Sequence, residues 1–470
     1  MVAAQAVSLA SGYARMTLAL ARSDRSARTA LAGGFICAAA AATMWATKTI
    51  ALKGPSGVGE VCAVFVAPVL AWLAWVRPLL VPYGIYVVLA PLDVLTQMSH
   101  QETIARIVGL VSGIALLAYA VRTRSLRVPP RTIVILGLLC GWMALSTFWS
   151  PANDPWREAM TMIDLAVLYL VLACFPTQRR DLVPLLGSIL LGGIVAAAIG
   201  AYEFHAAGAA EMETLQDFHR ISISVGQESL DPNMYADSLL LPFAIALTWF
   251  ARTRRLLGGL AALCTIGLLV VAVALAGSRD ATIGLCIVTL ALAVTLRAYA
   301  RVLLPAIALI GGAIALYPNA ITRALQDAGG GYGRMSIWRI GEAAFLAHPL
   351  TGSGSGSFGT MYDRLYVKIF ERYDVGWHMA SHDLFIHYGV ELGLIGLTLV
   401  VAWSLSQWFL ARALPKSGTI GDVRAIAMAS LLALGFAALF IDLFDVKFVW
   451  IAFALIAQAR TVAIYCGSNA

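Results

Sequence analysis

Residues 257–297 read LGGLAALCTIGLLVVAVALAGSRDATIGLCIVTLALAVTLR, which is two long apolar runs separated by one polar tetrad, Gly277–Asp280. Each run approaches the roughly 20 apolar residues with which a helix crosses a bilayer. The stretch therefore predicts two membrane-spanning helices joined by a tight polar turn. Runs of the same kind recur along most of the chain, so this pattern decides the fold class.

The composition of the whole chain is that of a membrane protein. Of its 470 residues, 60% are hydrophobic and 13% are charged, whereas soluble domains are about 45–50% apolar and about 25% charged. This balance excludes a soluble globular protein, a disordered chain and a disulfide-rich secreted scaffold. A transmembrane β-barrel is also excluded, because it needs alternating segments of about ten residues. The seven cysteines include no CxxC pair, so no cysteine zinc site is indicated.

The apolar runs predict an all-α fold, a polytopic transmembrane bundle of 12–14 spans. Fourteen candidate spans are recognised by run length, near residues 31–48, 60–76, 79–96, 104–121, 132–149, 158–175, 182–203, 236–251, 257–276, 280–297, 301–318, 384–405, 424–441 and 443–463. Only Arg77 and Pro78 separate the second candidate from the third. These two candidates form either a tight hairpin or a re-entrant pair.

The distribution of charge predicts the orientation of the spans. With the N-terminus placed in the cytoplasm, the inner segments hold 20 of the 33 lysine and arginine residues and three of the 26 acids, as the positive-inside rule favours. Because the basic residues alternate with spans, the net charge of +7 does not indicate nucleic acid binding. The predicted segments are a cytoplasmic tail (1–30), N-terminal transmembrane helices (31–203), a periplasmic loop (204–235), further transmembrane helices (236–318), a large, partly helical periplasmic loop (319–383), and C-terminal transmembrane helices with a cytoplasmic tail (384–470).

The two long outer loops concentrate the groups that carry chemistry. Both are far longer than the usual connection of about four to six residues, which is typical of a functional segment. All seven histidines fall on the outer side: His100, His205, His219, His348, His378, His382 and His387. The chemistry is therefore expected on the outer face, where nucleotides are scarce, and no GxxxxGK[ST] loop occurs.

Two arginines of the outer face are candidates for binding phosphate. Arg279 lies at the outer end of a predicted span, and a guanidinium matches phosphate oxygens bidentately. The structural alternative for Arg279 is a pair with Asp280 or a lipid-headgroup anchor. Arg220 precedes the triplet Asp231-Pro232-Asn233, in which Asn233 is a candidate helix cap. The alternative for Arg220 is a solvated surface charge.

A further pattern lies in the large outer loop. The segment Gly333–Trp338 carries Arg334 and Trp338, and it is followed by HPLTGSGSGSF at residues 348–358. Three alternate glycines after His-Pro allow a tight turn and the close approach of a ligand. The segment is not a nucleotide fingerprint, because no strand precedes it and the glycine spacing differs.

A polar seam follows where the large loop enters the next span. The run SHDLFIHYGVELGLIG places Asp383, His387 and Glu391 four residues apart, so they share one face of a helix. Ionisable residues at membrane depth usually face a cavity or one another. We therefore favour a functional site that includes the neighbouring His382 over a purely structural seam.

At these positions the sequence resembles the O-antigen ligase and polysaccharide polymerase superfamily. The matching pieces are Gly277-Ser278-Arg279, Arg334 with Trp338, His348–Gly354, and His382 with the Gly389–Gly396 run. Trp149-Ser150-Pro151 and Asp231-Pro232-Asn233 are similar to further family features, and together the pieces cover roughly residues 140–400. One departure concerns the residue after the motif histidine, which is more often asparagine in the family and is Asp383 here.

The resemblance implies a membrane glycosyltransferase of the GT-C type, inverting and metal-independent, at the periplasmic face of a bacterial inner membrane. It implies no cofactor. The donor would be a glycan on undecaprenyl diphosphate, and the acceptor a second glycan or lipid A core. Polymerases extend a lipid-linked repeat unit, whereas ligases transfer the glycan to lipid A core. We favour polymerisation of O-antigen or exopolysaccharide units, because the large loop has room for two lipid-linked glycans. A chain-length regulator or flippase of the same pathway is a further expected partner.

The motifs and the resemblance together assign roles to eight residues. His382 and Arg279 are predicted to be catalytic, the imidazole as the base and the guanidinium as the group that stabilises the leaving diphosphate. The predicted substrate-binding residues are Arg220, Arg334, Trp338, Asp383, His387 and Glu391. Two other classes remain as alternatives. A lipid-linked glycan transporter is disfavoured, because no internal repeat is visible and the polar groups gather near the outer face. The second alternative class is a non-catalytic assembly subunit.

Overall fold

The computed structural model describes residues 69–93, 103–207, 224–225, 228–229, 231–318, 332–370 and 379–465. The chain divides into two compact units, residues 1–81 and 82–470. In the first unit, residues 69–76 are helical and are followed by a turn. The predicted span 31–48 and most of 60–76 lie outside the described residues. The second unit contains all the elements described below.

The second unit is built almost entirely from helices. In chain order they are α1 Tyr83–Leu89, α2 Ile104–Arg122, α3 Ile133–Ser146, α4 Trp156–Cys174, α5 Arg179–Ala207, α6 Pro232–Ser238, α7 Leu240–Arg252, α8 Leu256–Ala276, α9 Arg279–Leu296, α10 Tyr299–Leu316, α11 Tyr332–Ala347, α12 Phe358–Phe370, α13 Leu384–Ala413, α14 Gly418–Ala437 and α15 Lys447–Tyr465. Short 3-10 turns, Ala90–Leu92 and Thr147–Trp149, extend α1 and α3. Two-residue strands β1 (Ser224–Val225) and β2 (Glu228–Ser229) pair antiparallel in the loop before α6.

The lengths and surfaces of the helices are those of a membrane bundle. Within the described residues, nine helices are long and apolar enough to cross a bilayer, α6 and α7 counting as one. Their apolar side chains are widely exposed, as on α2, where Leu110 is 67% exposed and Ile114 is 62% exposed. Such surface is stable only against lipid. The predicted fold class is confirmed, and the chain is a multi-pass membrane protein.

Small residues allow the central helices to pack closely. On α14, Ala425, Ala429, Ala433 and Ala437 recur every four residues, and all four are fully buried. Helix α14 packs along α9, where Cβ of Ala433 lies beside Gly284. Apolar surface gives no driving force between helices in lipid, so close backbone approach and van der Waals contact supply the stability instead. The pair α9–α14 therefore forms a rigid support for the residues at the start of α9.

Contacts between helix ends show which of them lie together at each end of the bundle. At one end, called the basic end, Arg252 pairs with Asp422 at 2.7 Å and Arg301 donates a hydrogen bond to the Ala251 carbonyl at 3.3 Å. The helices α6, α9 and α13 all begin at the opposite end, called the site end. There the backbone N–H of Leu384 donates to the carbonyl of Ala438 at 3.0 Å, which joins the start of α13 to the end of α14.

Two predicted spans differ from the observed elements. In the described residues 79–93 of the candidate 79–96, the short helix α1 and its 3-10 extension are the helical elements, and Pro91 has no N–H with which to continue the α-helix. Asp93, which follows, forms an ion pair with Lys447. The candidate 384–405 is the longer helix α13, which is bent at Gly393, where φ is 64° and ψ is −168°. This bend shapes the candidate site.

Candidate functional site

The bend in α13 frees two backbone carbonyls inside the bundle. In a straight helix the carbonyls of Val390 and Glu391 would accept hydrogen bonds from the N–H groups four residues later. Here they accept from residues 353 and 354 of the glycine-rich segment, at 2.7 Å from the N–H of Ser353 and 2.8 Å from that of Gly354. The segment thus replaces a turn of helix.

The N–H groups beyond the bend are satisfied by the same segment. The N–H of Leu394 donates to the carbonyl of Pro349 at 2.8 Å, and that of Ile395 donates to the carbonyl of Leu350 at 3.3 Å. Buried backbone groups need such partners, because leaving them unpaired costs free energy. The bend and the segment His348–Phe358 are therefore one structural unit.

The residues Gly352–Ser357, called the glycine loop, approach other backbone closely. Gly352, Gly354 and Gly356 have φ values of 68°, 100° and 71°. A Cβ on Gly352 would lie 2.3 Å from the carbonyl oxygen of Glu391, and one on Gly354 would lie 2.5 Å from Cα of Ser150. The sequence predicted a close approach to a ligand. The structure instead places the chain's own backbone there, because the bent helix offers unpaired carbonyls.

Ser146, the last residue of α3, and Ser150, just after this helix, complete the junction by binding the glycine loop. Ser150 Oγ donates to the carbonyl of Ser355 at 2.7 Å, and the N–H of Ser355 donates to Ser146 Oγ at 3.1 Å. Trp142 Nε1 donates to the carbonyl of Leu392 at 2.9 Å. The Trp149-Ser150-Pro151 motif is thus a docking surface for the glycine loop.

Gly354→Ala is expected to destabilise the protein by about 2–3 kcal/mol, because φ is left-handed and the new methyl group meets backbone. The melting temperature of the protein in detergent should fall by several degrees. Gly311→Ala is the matched control, since nothing lies within 4 Å of the Cβ position at Gly311. An unchanged melting temperature for Gly354→Ala would contradict the tight packing of the loop.

Beneath the glycine loop lies a group of ionisable side chains, called the acid–histidine cluster: Glu158, His387, Glu391 and Asp442. Glu391 is fully buried, and its carboxylate accepts the N–H groups of Gly356 and Phe358, both at 2.9 Å. His387 Nε2 lies 3.6 Å from Glu391 Oε2 and 3.7 Å from Glu158 Oε2. The predicted shared helix face is therefore observed for His387 and Glu391, whereas Asp383, predicted on the same face, precedes the helix as its extended N-cap.

Two acids of the cluster were not singled out from the sequence. Glu158 comes from the first turn of α4, and its Oε2 accepts the N–H of Gly356 at 3.1 Å. Asp442 lies between α14 and α15, with its Oδ2 3.2 Å from His387 Nδ1. Burial, together with the nearby carboxylates of Asp442 and Glu158, raises the pKa of the neighbouring Asp445 to about 7. The sequence did contain an indication of these two acids. An acidic side chain beside a membrane span costs free energy, so its presence there often indicates a functional role.

His382 is held in an unusual backbone conformation just before α13. Its φ is 50°, which non-glycine residues adopt rarely and often at functional sites. Asp383, the departure from the family pattern, is the N-cap of α13, and its Oδ1 accepts the N–H of Ile386 at 2.8 Å. Burial raises the pKa of the Asp383 carboxyl. Asp383 thus fixes the direction in which the chain enters the helix.

Two charged residues from other elements lie within electrostatic range of His382. Burial lowers the pKa of His382, Arg334 on α11 lowers it further, and Asp231 before α6 acts in the opposite direction. Helix α11 packs on α13 without a side chain at Gly341, where a Cβ would lie 2.4 Å from Cγ2 of Ile386. The charges of Arg334 and Asp231, which belong to two other segments, therefore act on the His382 imidazole in opposite directions.

Arg279 is placed by the turn between α8 and α9. Gly277 has a left-handed φ of 61°, and Ser278 caps α9, so that Arg279 begins the helix at the site end. The carboxylate of Asp280 is buried and accepts a hydrogen bond from Ser278 Oγ. The cationic side chain thus lies at the positive end of a helix dipole, a combination that favours a bound anion.

The remaining predicted site residues have different surroundings. Trp338 packs against an apolar cluster that includes Ile337 and Ile340, and its buried indole N–H has no hydrogen-bond partner among the described residues. Arg220 lies outside the described residues. Asp231, the first residue of the motif that follows Arg220, is the N-cap of α6 and accepts the N–H of Asn233 at 2.6 Å. The predicted cap residue was Asn233, whereas the structure assigns capping to Asp231.

Comparison with known proteins covers the central part of this site. Residues 264–401 match the family model of the O-antigen ligases, and this range includes Arg279, Arg334, the glycine loop and His382. No similar curated protein was found. This match confirms the resemblance to the O-antigen ligase superfamily that the motifs predict.

Proposed function

We propose that the protein is a metal-independent, inverting glycosyltransferase that polymerises glycan repeat units at the periplasmic face of a bacterial inner membrane. The donor is a glycan on undecaprenyl diphosphate, and the acceptor is a second lipid-linked glycan. The observation that carries the proposal is that His382 and Arg279 lie at the starts of α13 and α9, at the same end of the bundle, within the segment that matches the O-antigen ligase family. By the positive-inside rule we assign the basic end to the cytoplasm, and we propose that both termini are cytoplasmic as well.

The proposed reaction is a single displacement at the anomeric carbon. An acceptor hydroxyl attacks this carbon from the face opposite the diphosphate, and the bond between the sugar and the diphosphate oxygen breaks. The bonding electrons stay on the lipid diphosphate, which gains negative charge. Arg279 and Arg334, with Arg220 as a further candidate, stabilise this charge, because preorganised positive groups in a water-poor site lower the barrier by several kcal/mol.

The second requirement of the reaction is a base for the proton of the acceptor hydroxyl. His382 fits this role, because burial and Arg334 lower its pKa below the ordinary imidazole value and so keep it unprotonated at neutral pH. Asp231 opposes this effect and stabilises the imidazolium that forms once the proton has moved. The same arginine thus serves both the donor diphosphate and the base.

The buried residues of the site are assigned to positioning. Asp383 caps α13 beside His382, whereas Glu391 and His387 hold the glycine loop against the bend of the same helix. Their burial favours this role over direct contact with a glycan. Trp338 supports the apolar packing between α11 and α12. A direct contact of Asp383, His387, Glu391 or Trp338 with the substrate would be supported by a changed KM in variants at that position.

A ligase that transfers the glycan to lipid A core is the second candidate, favoured by the description of the matching family. The purified protein in lipid vesicles with only an undecaprenyl-diphosphate-linked glycan distinguishes the two. A ladder of longer glycans is expected for the polymerase. Transfer only after lipid A core is added would establish the ligase instead. No transfer under either condition would contradict both and favour a lipid-linked glycan transporter.

The pH dependence of kcat/KM should follow the two charges beside His382. Activity falls as pH decreases through the pKa of His382, because the protonated imidazole cannot accept a proton. Arg334→Gln should raise this pKa and move the acidic limb to higher pH, whereas Asp231→Asn should move it to lower pH. Shifts of the limb are measured independently of the size of the remaining activity. If the acidic limb has the same midpoint in wild type, Arg334→Gln and Asp231→Asn, the proposed role of His382 as the base is wrong.

A further inference from the structure

The acid–histidine cluster has the spacing of a metal site. The three facing atoms are His387 Nε2, Glu158 Oε2 and Glu391 Oε2, and these atoms all lie within 4.8 Å of one another. The two distances from the imidazole, 3.6 and 3.7 Å, are longer than a hydrogen bond. They are close to the edge of a tetrahedron around a zinc ion, which is about 3.4 Å for ligands about 2.1 Å from the metal.

We propose that Glu158, His387 and Glu391 bind a divalent transition-metal ion, for which Zn²⁺ is the probe. One imidazole nitrogen and two carboxylate oxygens are a donor set that suits zinc or manganese better than magnesium or calcium. The ion is structural. None of its three ligands is a residue to which the proposed function assigns a catalytic role, so this inference does not depend on the proposed function.

The surroundings of the three ligands match the second layer of known metal sites. Metal-bound histidines usually have a carboxylate at the other ring nitrogen, which fixes the tautomer and the ring orientation. Asp442 Oδ2 occupies this position, 3.2 Å from His387 Nδ1. The N–H of Gly356 donates to Oε2 of both glutamates, at 3.1 and 2.9 Å, and so orients the carboxylates.

The charge of the cluster also calls for a cation. Glu158, Glu391 and Asp442 surround a single imidazole, and in the part of the chain that the structure describes their ion pairs are with that imidazole alone. The Glu391 side chain is 1% exposed and that of Asp442 is 17% exposed. Carboxylates taken out of water at membrane depth are costly without compensating positive charge. A divalent ion supplies that charge.

Binding of the metal ion would connect helices and loops that are distant in the sequence. Glu158 belongs to α4, the two other ligands belong to the first half of α13, and Gly356 connects the site to the glycine loop. An ion that binds the folded but not the unfolded chain stabilises the fold. The expected effect of the metal is therefore on the stability of the bend and loop rather than on the transfer step itself.

The test measures metal content and stability of the full-length protein purified in detergent after growth with added Zn²⁺. Wild type should contain about one zinc per chain by elemental analysis, and chelation should lower its melting temperature by several degrees. His387→Ala should lose the metal and the effect of chelation. His205→Ala is the control, an exposed histidine outside the cluster, and it should keep both.

Two results would overturn the proposal. One is a wild-type protein that still contains less than about 0.1 equivalents of zinc per chain after dialysis against Zn²⁺. The other is a His387→Ala variant that retains the zinc content of wild type. If His387→Ala fails to fold, Co²⁺ bound to wild type decides the question. A tetrahedral site gives visible absorption bands that Zn²⁺ abolishes by displacement, and Glu158→Gln should weaken Co²⁺ binding at least tenfold. The absence of displaceable bands would refute the site.

Discussion

Arg279→Ala is expected to lower the rate of glycan transfer by about a hundredfold or more, with an unchanged amount of protein in the membrane. The guanidinium stands at the first turn of α9, where its charge adds to the positive end of the helix dipole. Removing one preorganised group that stabilises developing negative charge typically costs about 100- to 1000-fold in rate. The measurement is the initial rate of glycan lengthening in vesicles, normalised to the protein present.

Two further variants separate charge from local structure. Arg279→Lys keeps the charge but not the bidentate geometry, so an intermediate rate is expected. Arg254→Ala removes an exposed arginine at the basic end and should leave the rate unchanged. If Arg279→Ala transfers glycan at the wild-type rate, the arginine is a membrane anchor and the proposed stabilisation of the leaving group is wrong.

The positions of the long helices could be predicted because membrane insertion depends on local composition. The runs near 257–276 and 280–297 correspond to α8 and α9 within a few residues. The bend of α13 could not be predicted in this way. Gly393 adopts its conformation only because the glycine loop supplies the missing hydrogen bonds, and this loop is fixed by contacts that are remote in the sequence.

The candidate site was predictable where its residues form motifs and not where they converge from separate elements. His382 and Arg334 were found because each lies in a recognisable motif. Glu158 and Asp442 were missed, because single acids at the edges of apolar runs show no periodicity that connects them with His387. The function of the three glycines was misjudged for a related reason. A pattern that allows close approach does not specify which backbone or ligand approaches.

His382 shows how much of the site depends on tertiary structure. Its sequence neighbours Ser381 and Asp383 fix the backbone, through the buried serine hydroxyl and the capping carboxylate. Its electrostatic environment comes instead from Arg334 and Asp231, which belong to segments far from it in the chain. The sequence therefore identifies His382 as the candidate base, whereas the cause that lowers its pKa is found only in the folded protein.

His382→Ala is expected to lower kcat by about 100- to 10,000-fold, the range over which a general base contributes to catalysis. KM for the lipid-linked donor should change little, because the arginines proposed to bind the diphosphate are retained. The residual activity should also lose the acidic limb of its pH profile, since the titrating group has been removed. The measurements are kcat, KM and the pH profile of glycan lengthening in vesicles.

The left-handed backbone at His382 makes a second variant necessary. Asparagine tolerates positive φ better than alanine, so His382→Asn should fold normally and show the same loss of kcat. His205→Ala is the control and should retain full activity. Loss of activity in His382→Ala alone, with a normal rate for His382→Asn, would assign the residue a backbone role. A wild-type rate in both variants would remove His382 from the site, because neither replacement can accept the proton of the acceptor hydroxyl at neutral pH.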